Sequence, residues 1–144
     1  MTVRELSRAL NWPMAVEGAD RPVCGGWCGD LLSHAMTHAA KNAAWITVMT
    51  NVNVAAVAVM REVACIILAD GQQPDESLLD VAIKEKITII CTHEDVYTAA
   101  ICLSQQLLRP KKYRNEIGFP EKRWTPPKKN WVFQKEMVEK FRKM

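Results

Sequence analysis

The stretch Ala64-Cys65-Ile66-Ile67-Leu68-Ala69 constrains this chain more than any other part of it. An unbroken apolar run of that length, without polar alternation, suits a strand covered on both faces, as in a parallel sheet. The segments around it repeat a pattern of strand followed by helix. Trp45 to Met49 is rich in β-branched residues, Ile87 to Cys91 reads as another short strand, and Met14 to Glu17 as a brief one. Val23 to Cys28 also reads as a strand, weakened by its central glycines, and Gly18 to Pro22 before it reads as a turn. Helices are expected at Thr2 to Leu10, Asp30 to about Ala40, Val52 to about Arg61, from Pro74 onward, and from Thr92 to about Leu108. Val3, Leu6 and Leu10 fall on one face of the first, and Asp30 sits where a helix dipole favours an acid. Thr50 and Asn51 are good caps for the third, Pro74, Asp75 and Glu76 start the fourth, and Thr92 and Asp95 fit a capping box. The alternation predicts an α/β fold: a single layered domain whose mostly parallel sheet, of about five strands, is flanked by helices.

Charge divides the chain. Residues 1–107 hold seven basic and twelve acidic side chains, a net of −5, whereas residues 108–144 hold twelve and four, a net of +8. We therefore expect a domain over 1–108 and a basic extension over 109–144. At 144 residues the chain suits one domain, which would bury roughly 70% of its unfolded surface. In the extension, Pro110, Pro120, Pro126 and Pro127 are set among Lys, Arg, Tyr113, Trp124 and Trp131, which reads as extended chain. Asn130 to Met144 then suits an amphipathic helix with Phe133, Met137, Phe141 and Met144 in one stripe. Such a segment could dock on an acidic protein partner, pack on its own acidic domain, or bind nucleic acid or a membrane. Protein docking is favoured over self-packing, and both over nucleic acid or membrane.

The first eleven residues carry Arg4, Glu5 and Arg8 and do not read as a signal peptide. The most apolar region, Val52 to Ala69, is interrupted by Asn53, Arg61 and Glu62 and is short of the about 20 apolar residues needed to span a bilayer. Cys24, Cys28, Cys65, Cys91 and Cys102 are odd in number and lie largely in apolar runs, so reduced thiols and a cytoplasmic location are expected.

The segment Asp20-Arg21-Pro22-Val23-Cys24-Gly25-Gly26-Trp27-Cys28-Gly29-Asp30 resembles the DRTGG domain family, named for an Asp-Arg followed by a glycine pair. The resemblance continues through Trp45 to Val48, Asn51 to Ala58 and Ala64 to Leu68, and covers about residues 1–107. Here Pro22, Val23 and Cys24 separate the Asp-Arg from the glycines. Asp20, Arg21, Gly25, Gly26 and Asp30 would be the motif residues, with a role in turn and strand geometry favoured over ligand contact. The family accompanies metabolic enzymes, beside CBS domains in some pyrophosphatases or free-standing, and is similar to the N-terminal domain of HPr kinase/phosphorylase. The resemblance therefore implies a non-enzymatic regulatory, ligand-sensing or dimerisation module. The alternative is an accessory subunit that docks through its basic tail onto a larger metabolic enzyme.

Kinase chemistry is not expected, because no G-x-x-x-x-G-K-[ST] string cradles a phosphate. Ligands of an open parallel sheet bind beyond its carboxyl ends, which here offer Asp30, Thr50, Asn51, Asn53, Asp70, Thr92 and His93. Helix N-termini there would attract a phosphate, but Asp30, Asp70 and Glu94 oppose one unless a metal ion intervenes. A capping role for these residues is favoured over ligand contact. His34 and His38 stand one helical turn apart, with Cys28 near in sequence, yet no fourth ligand is evident and no metal site is expected. Cys24 and Cys28 would share a strand face too far apart for a disulfide, roughly 13 Å. His93 could act as a general base, but no nucleophile or acid accompanies it, so no catalytic residue and no cofactor is assigned. A homodimer is expected, with Val23 to Trp27 as its candidate interface, and a small-molecule ligand remains compatible.

Overall fold

The computed structural model describes residues 1–108 and Lys143, so the expectations for the basic extension lie outside the described residues. The order is α1 (Val3–Leu10), β1 (Met14–Val16), β2 (Gly25–Cys28), α2 (Leu32–His38), β3 (Ala43–Thr47), α3 (Val52–Arg61), β4 (Cys65–Leu68), α4 (Glu76–Glu85), β5 (Ile89–Cys91) and α5 (Val96–Leu107). The strands form one sheet in the order β1-β5-β4-β3-β2, parallel except for β1, which runs antiparallel to β5 at one edge.

Strands β2 to β5 step across the sheet in one direction. Right-handed crossovers between neighbouring parallel strands then place α2, α3 and α4 on one face. There they cover Trp45, Ile66, Leu68 and Ile89, packing side by side through Val54, Val57, Leu78 and Ala82. The opposite face, carrying Ala44, Ile46, Cys65, Ile67 and Ile90, is covered by α1 and α5 through Val3, Leu6, Leu10, Ala99 and Leu103. Both faces are dry, which is why β3, β4 and β5 are buried at every position.

Local signals set most helix bounds. Thr2 and Glu5 form the capping box of α1, and Asn51 caps α3 through the Asn53 N–H at 3.0 Å. Asn11, Glu62 and Lys86 end α1, α3 and α4 in the left-handed region. β2 and β5 start two residues later than Val23 and Ile87, and three further expectations need correction. β3 begins and ends two residues earlier than Trp45 to Met49, because Thr47 and Val48 are engaged by Asp30 just past the strand. Asp30 therefore caps no helix: α2 starts at Leu32, and its cap residue Leu31 makes no side-chain hydrogen bond. The N-cap of α5 is Asp95, which accepts the Thr98 N–H at 2.7 Å, while Thr92 accepts the Glu94 N–H within the preceding loop.

Candidate functional site

The four parallel strands end at one rim, and every following helix has its N-terminus there. From β4 the chain passes to α4 on one face; from β5 it passes to α5 on the other. The carboxyl ends of β4 and β5 therefore form the topological switch point where such sheets bind ligands. Of the residues expected to line a crevice, Asp70, Thr92 and His93 stand here. Asp30, Thr50, Asn51 and Asn53 lie farther along the rim, beyond β2 and β3.

At the switch point the two loops are tied together. The Ala69 carbonyl accepts the Gln72 N–H at 3.1 Å across Asp70 and Gly71, whose φ values of 57° and 69° are both left-handed, as in a type I′ turn. Asp70 N–H donates to the Glu94 carbonyl (2.8 Å) and Gly71 N–H to the Thr92 carbonyl (2.9 Å). His93 lays its ring over Gly71, where an added Cβ would come within 3.1 Å of Nδ1. The side chains of Asp70 and His93 are exposed, and Thr92 is buried. Gly71→Ala is expected to cost about 1 kcal/mol in urea unfolding and to displace the His93 ring. An unchanged His93 imidazole NMR signal in that variant would count against this packing.

Farther along, Asn51 caps α3, Asn53 supplies the capped N–H, and the Thr50 carbonyl accepts the Asp75 N–H at 3.0 Å. Asp30 Oδ1 accepts both the Thr47 hydroxyl (2.7 Å) and the Val48 N–H (3.0 Å), so it fastens the end of β2 to the end of β3. The indole of Trp45 adds a second tie, donating to the Gly29 carbonyl at 3.0 Å. The rim loops hold Asp30, Asp70, Asp75, Glu94 and Asp95 but no lysine or arginine. They disfavour a bare anion and suit a cation or a neutral hydrogen-bond donor.

The motif string does not converge on one place. Asp20 accepts the Arg4 N–H at 2.9 Å and the Arg21 carbonyl accepts the Val3 N–H at 2.9 Å, so both serve the first turn of α1. Gly25 and Gly26 form β2 at the sheet edge, and only Asp30 reaches the rim. Gly26 faces α5, where an added Cβ would come within 2.8 Å of Leu103.

His34 and His38 do not meet Cys28. The two rings, 4.1 Å apart, cover Trp27 on the α2 face, with centroid separations of 5.2 and 6.0 Å. Trp27 is accordingly half-buried, not exposed, and its Nε1 is buried without a partner. Cys28 lies on the other face, with Cys24, in a groove of about 440 Å³ between β2 and α5 that sequence reasoning missed. The signal was present: two cysteines at strand spacing beside glycines, and a helix without charge. The five cysteines form no disulfide among the described residues. Burial and the Asp30 charge push the Cys28 thiol up, burial raises Cys91, and full burial pushes Cys65 up to about 12. None of these three is a ready thiolate nucleophile at neutral pH. Among the described residues no cluster of three or more His, Cys, Asp or Glu is placed to hold a metal ion, and no helix is long and apolar enough to cross a membrane.

The family model of the DRTGG domain matches residues 28–106. The match takes in the whole rim and Asp30, and begins after Asp20, Arg21, Gly25 and Gly26. Among solved structures, the CBS and DRTGG domains of the regulatory region of Clostridium perfringens pyrophosphatase, complexed with the activator diadenosine tetraphosphate, share the fold. The TM-score is 0.61 at 17% identity over 74% of this chain. The match takes up 47% of that chain, so the present protein spans about half its length. No curated protein matches in sequence.

Proposed function

Because this chain belongs to the DRTGG domain family, we propose that it works as a non-catalytic regulatory module, a homodimer that senses a small ligand at the carboxyl rim of its sheet. The observation that carries this reading is the family match itself, which spans every strand end of the rim. The chemistry of the rim supports it. Its polar groups are spent largely on caps and loop ties, and the His93 ring rests on Gly71. A residue set of this kind can recognise and hold a molecule.

The switch point between β4 and β5 is the favoured place for the ligand, with Asp70 and His93 as the accessible side chains. The pyrophosphatase relative was solved with a dinucleoside polyphosphate, which makes that class the first probe. Against an acidic rim a polyphosphate needs its charge offset, and Mg²⁺ bridges carboxylates and phosphates well. Full-length protein is therefore tested by thermal shift with diadenosine tetraphosphate and with ATP, each with and without Mg²⁺. We expect stabilisation only when Mg²⁺ is present, approaching about 2.7 kcal/mol at a hundredfold excess over Kd. Asp70→Asn should abolish it. No shift with either nucleotide, or a shift indifferent to Asp70→Asn, would reject this site.

A further inference from the structure

Spacing alone argues against a metal at His34 and His38, since no fourth ligand follows them; their ring nitrogens argue for one. The two side chains stand one turn apart on α2, exposed, with ring centroids 4.1 Å apart. The hydrogen bonds of His38 fix which nitrogen is open. Its Nδ1 lies 3.1 Å from the His34 carbonyl and 2.7 Å from the Thr37 hydroxyl. A carbonyl can only accept, so Nδ1 carries the proton and Nε2 keeps a bare lone pair. The Thr37 hydroxyl directs its own proton to the Ser33 and His34 carbonyls, and so it too accepts from Nδ1. Metal-bound histidines adopt this arrangement, one ring N–H held by a carbonyl and the other nitrogen free to ligate. The rings also sit on a firm base. Trp27 packs beneath both, 5.2 Å from His34 and stacked on His38 at 6.0 Å. From α3, Arg61 donates to the Ala39 carbonyl at 2.8 Å, which ties down the chain just past His38.

We propose that His34 and His38 together bind a divalent late transition-metal ion, with one nitrogen from each ring and water completing the coordination. The donor set selects the class of ion. Residues 31–40 contain no Asp, Glu, Lys or Arg, so Mg²⁺ and Ca²⁺, which seek oxygen ligands, find no carboxylate there. Imidazole nitrogens suit Ni²⁺, Cu²⁺ and Zn²⁺ instead. The bound ion clips two adjacent turns of a helix that has seven residues and no side-chain hydrogen bond at its N-cap, so binding also stabilises α2. Helix α2 joins β2 to β3, a different crossover from the β4–β5 switch point, and the metal site therefore stands apart from the sensing site.

Ni²⁺ is the probe, because it leaves the thiols unoxidised and is paramagnetic. Full-length protein titrated with NiCl₂ should lose the His34 and His38 imidazole signals and the Trp27 indole N–H signal first in NMR, while the His93 signal persists. The melting temperature should rise, and EDTA should reverse both changes. In isothermal titration calorimetry, His34→Gln or His38→Gln should each weaken Ni²⁺ binding by about tenfold or more, with an unchanged circular dichroism spectrum. Thr37→Ala keeps both rings and removes only a partner of Nδ1. It should still weaken binding by about tenfold, an effect that chance chelation by two exposed rings would not show. Mg²⁺ at the same concentration should do none of this. Absence of Ni²⁺ binding, binding that survives the double His34→Gln, His38→Gln variant, or an affinity indifferent to Thr37→Ala would each overturn the inference. So would an affinity that depends on His93, the third and last histidine of the chain.

Discussion

Trp45→Ala is expected to lower the stability of the protein by about 4 kcal/mol in urea unfolding followed by circular dichroism. The side chain is fully buried in the middle of the sheet, under the α2–α3–α4 layer, and its loss opens a cavity among residues fixed by secondary structure on every side. It also deletes the donor that holds the Gly29 carbonyl at 3.0 Å. Against a total of about 5–15 kcal/mol for a domain of this size, the variant should sit near its unfolding threshold at physiological temperature. Trp45→Phe keeps a six-membered ring in the core while it removes the N–H and the pyrrole ring, so it retains part of the packing and none of the hydrogen bond. We expect a loss of about 1–2 kcal/mol there, with most of the packing retained. Equal instability of the two variants would mean that the hydrogen bond to Gly29, and not the packing of the ring, is the larger contribution.

The core strand β4 and the caps of α1 and α3 were legible because each is encoded locally: an apolar run, Thr2 with Glu5, and Asn51 at the start of an apolar helix. Parallel topology followed from the same alternation. What local pattern could not supply was the destination of a side chain. Asp30 has the residue type and spacing of a helix cap, yet Thr47 and Val48 lie seventeen and eighteen residues away in sequence and win it. The same long-range contact explains why β3 stops at Thr47, although Val48 and Met49 have strand-like side chains. Strand order is likewise non-local, and with it the position of β2 at an edge and of the switch point between β4 and β5. His34 and His38 lie apart from Cys28 for a simpler reason. Strand alternation sends Trp27 and Cys28 to opposite faces, so the histidines meet the tryptophan and the thiol meets α5.

Asp30 carries the second large effect. The hydroxyl of fully buried Thr47 donates to its carboxylate, and that same hydroxyl accepts the Met49 N–H at 3.2 Å, so Thr47, Val48 and Met49 at the end of β3 hang on one acid. Asp30→Ala leaves the buried hydroxyl and the Val48 N–H without their acceptor and should cost about 2–3 kcal/mol. Asp30→Asn keeps an oxygen in the same place and should cost about 1 kcal/mol, the share due to charge assistance. Thr47→Val combined with Asp30→Ala should cost clearly less than the sum of the single changes, because the hydroxyl that the alanine strands is no longer there. Strict additivity would mean that the two side chains do not cooperate. The asparagine variant also divides structure from function at a motif residue that reaches the rim. With the fold retained, an unaltered nucleotide response makes Asp30 a tie between β2 and β3, whereas a lost response would move the ligand from the β4–β5 switch point toward the β2–β3 end of the rim.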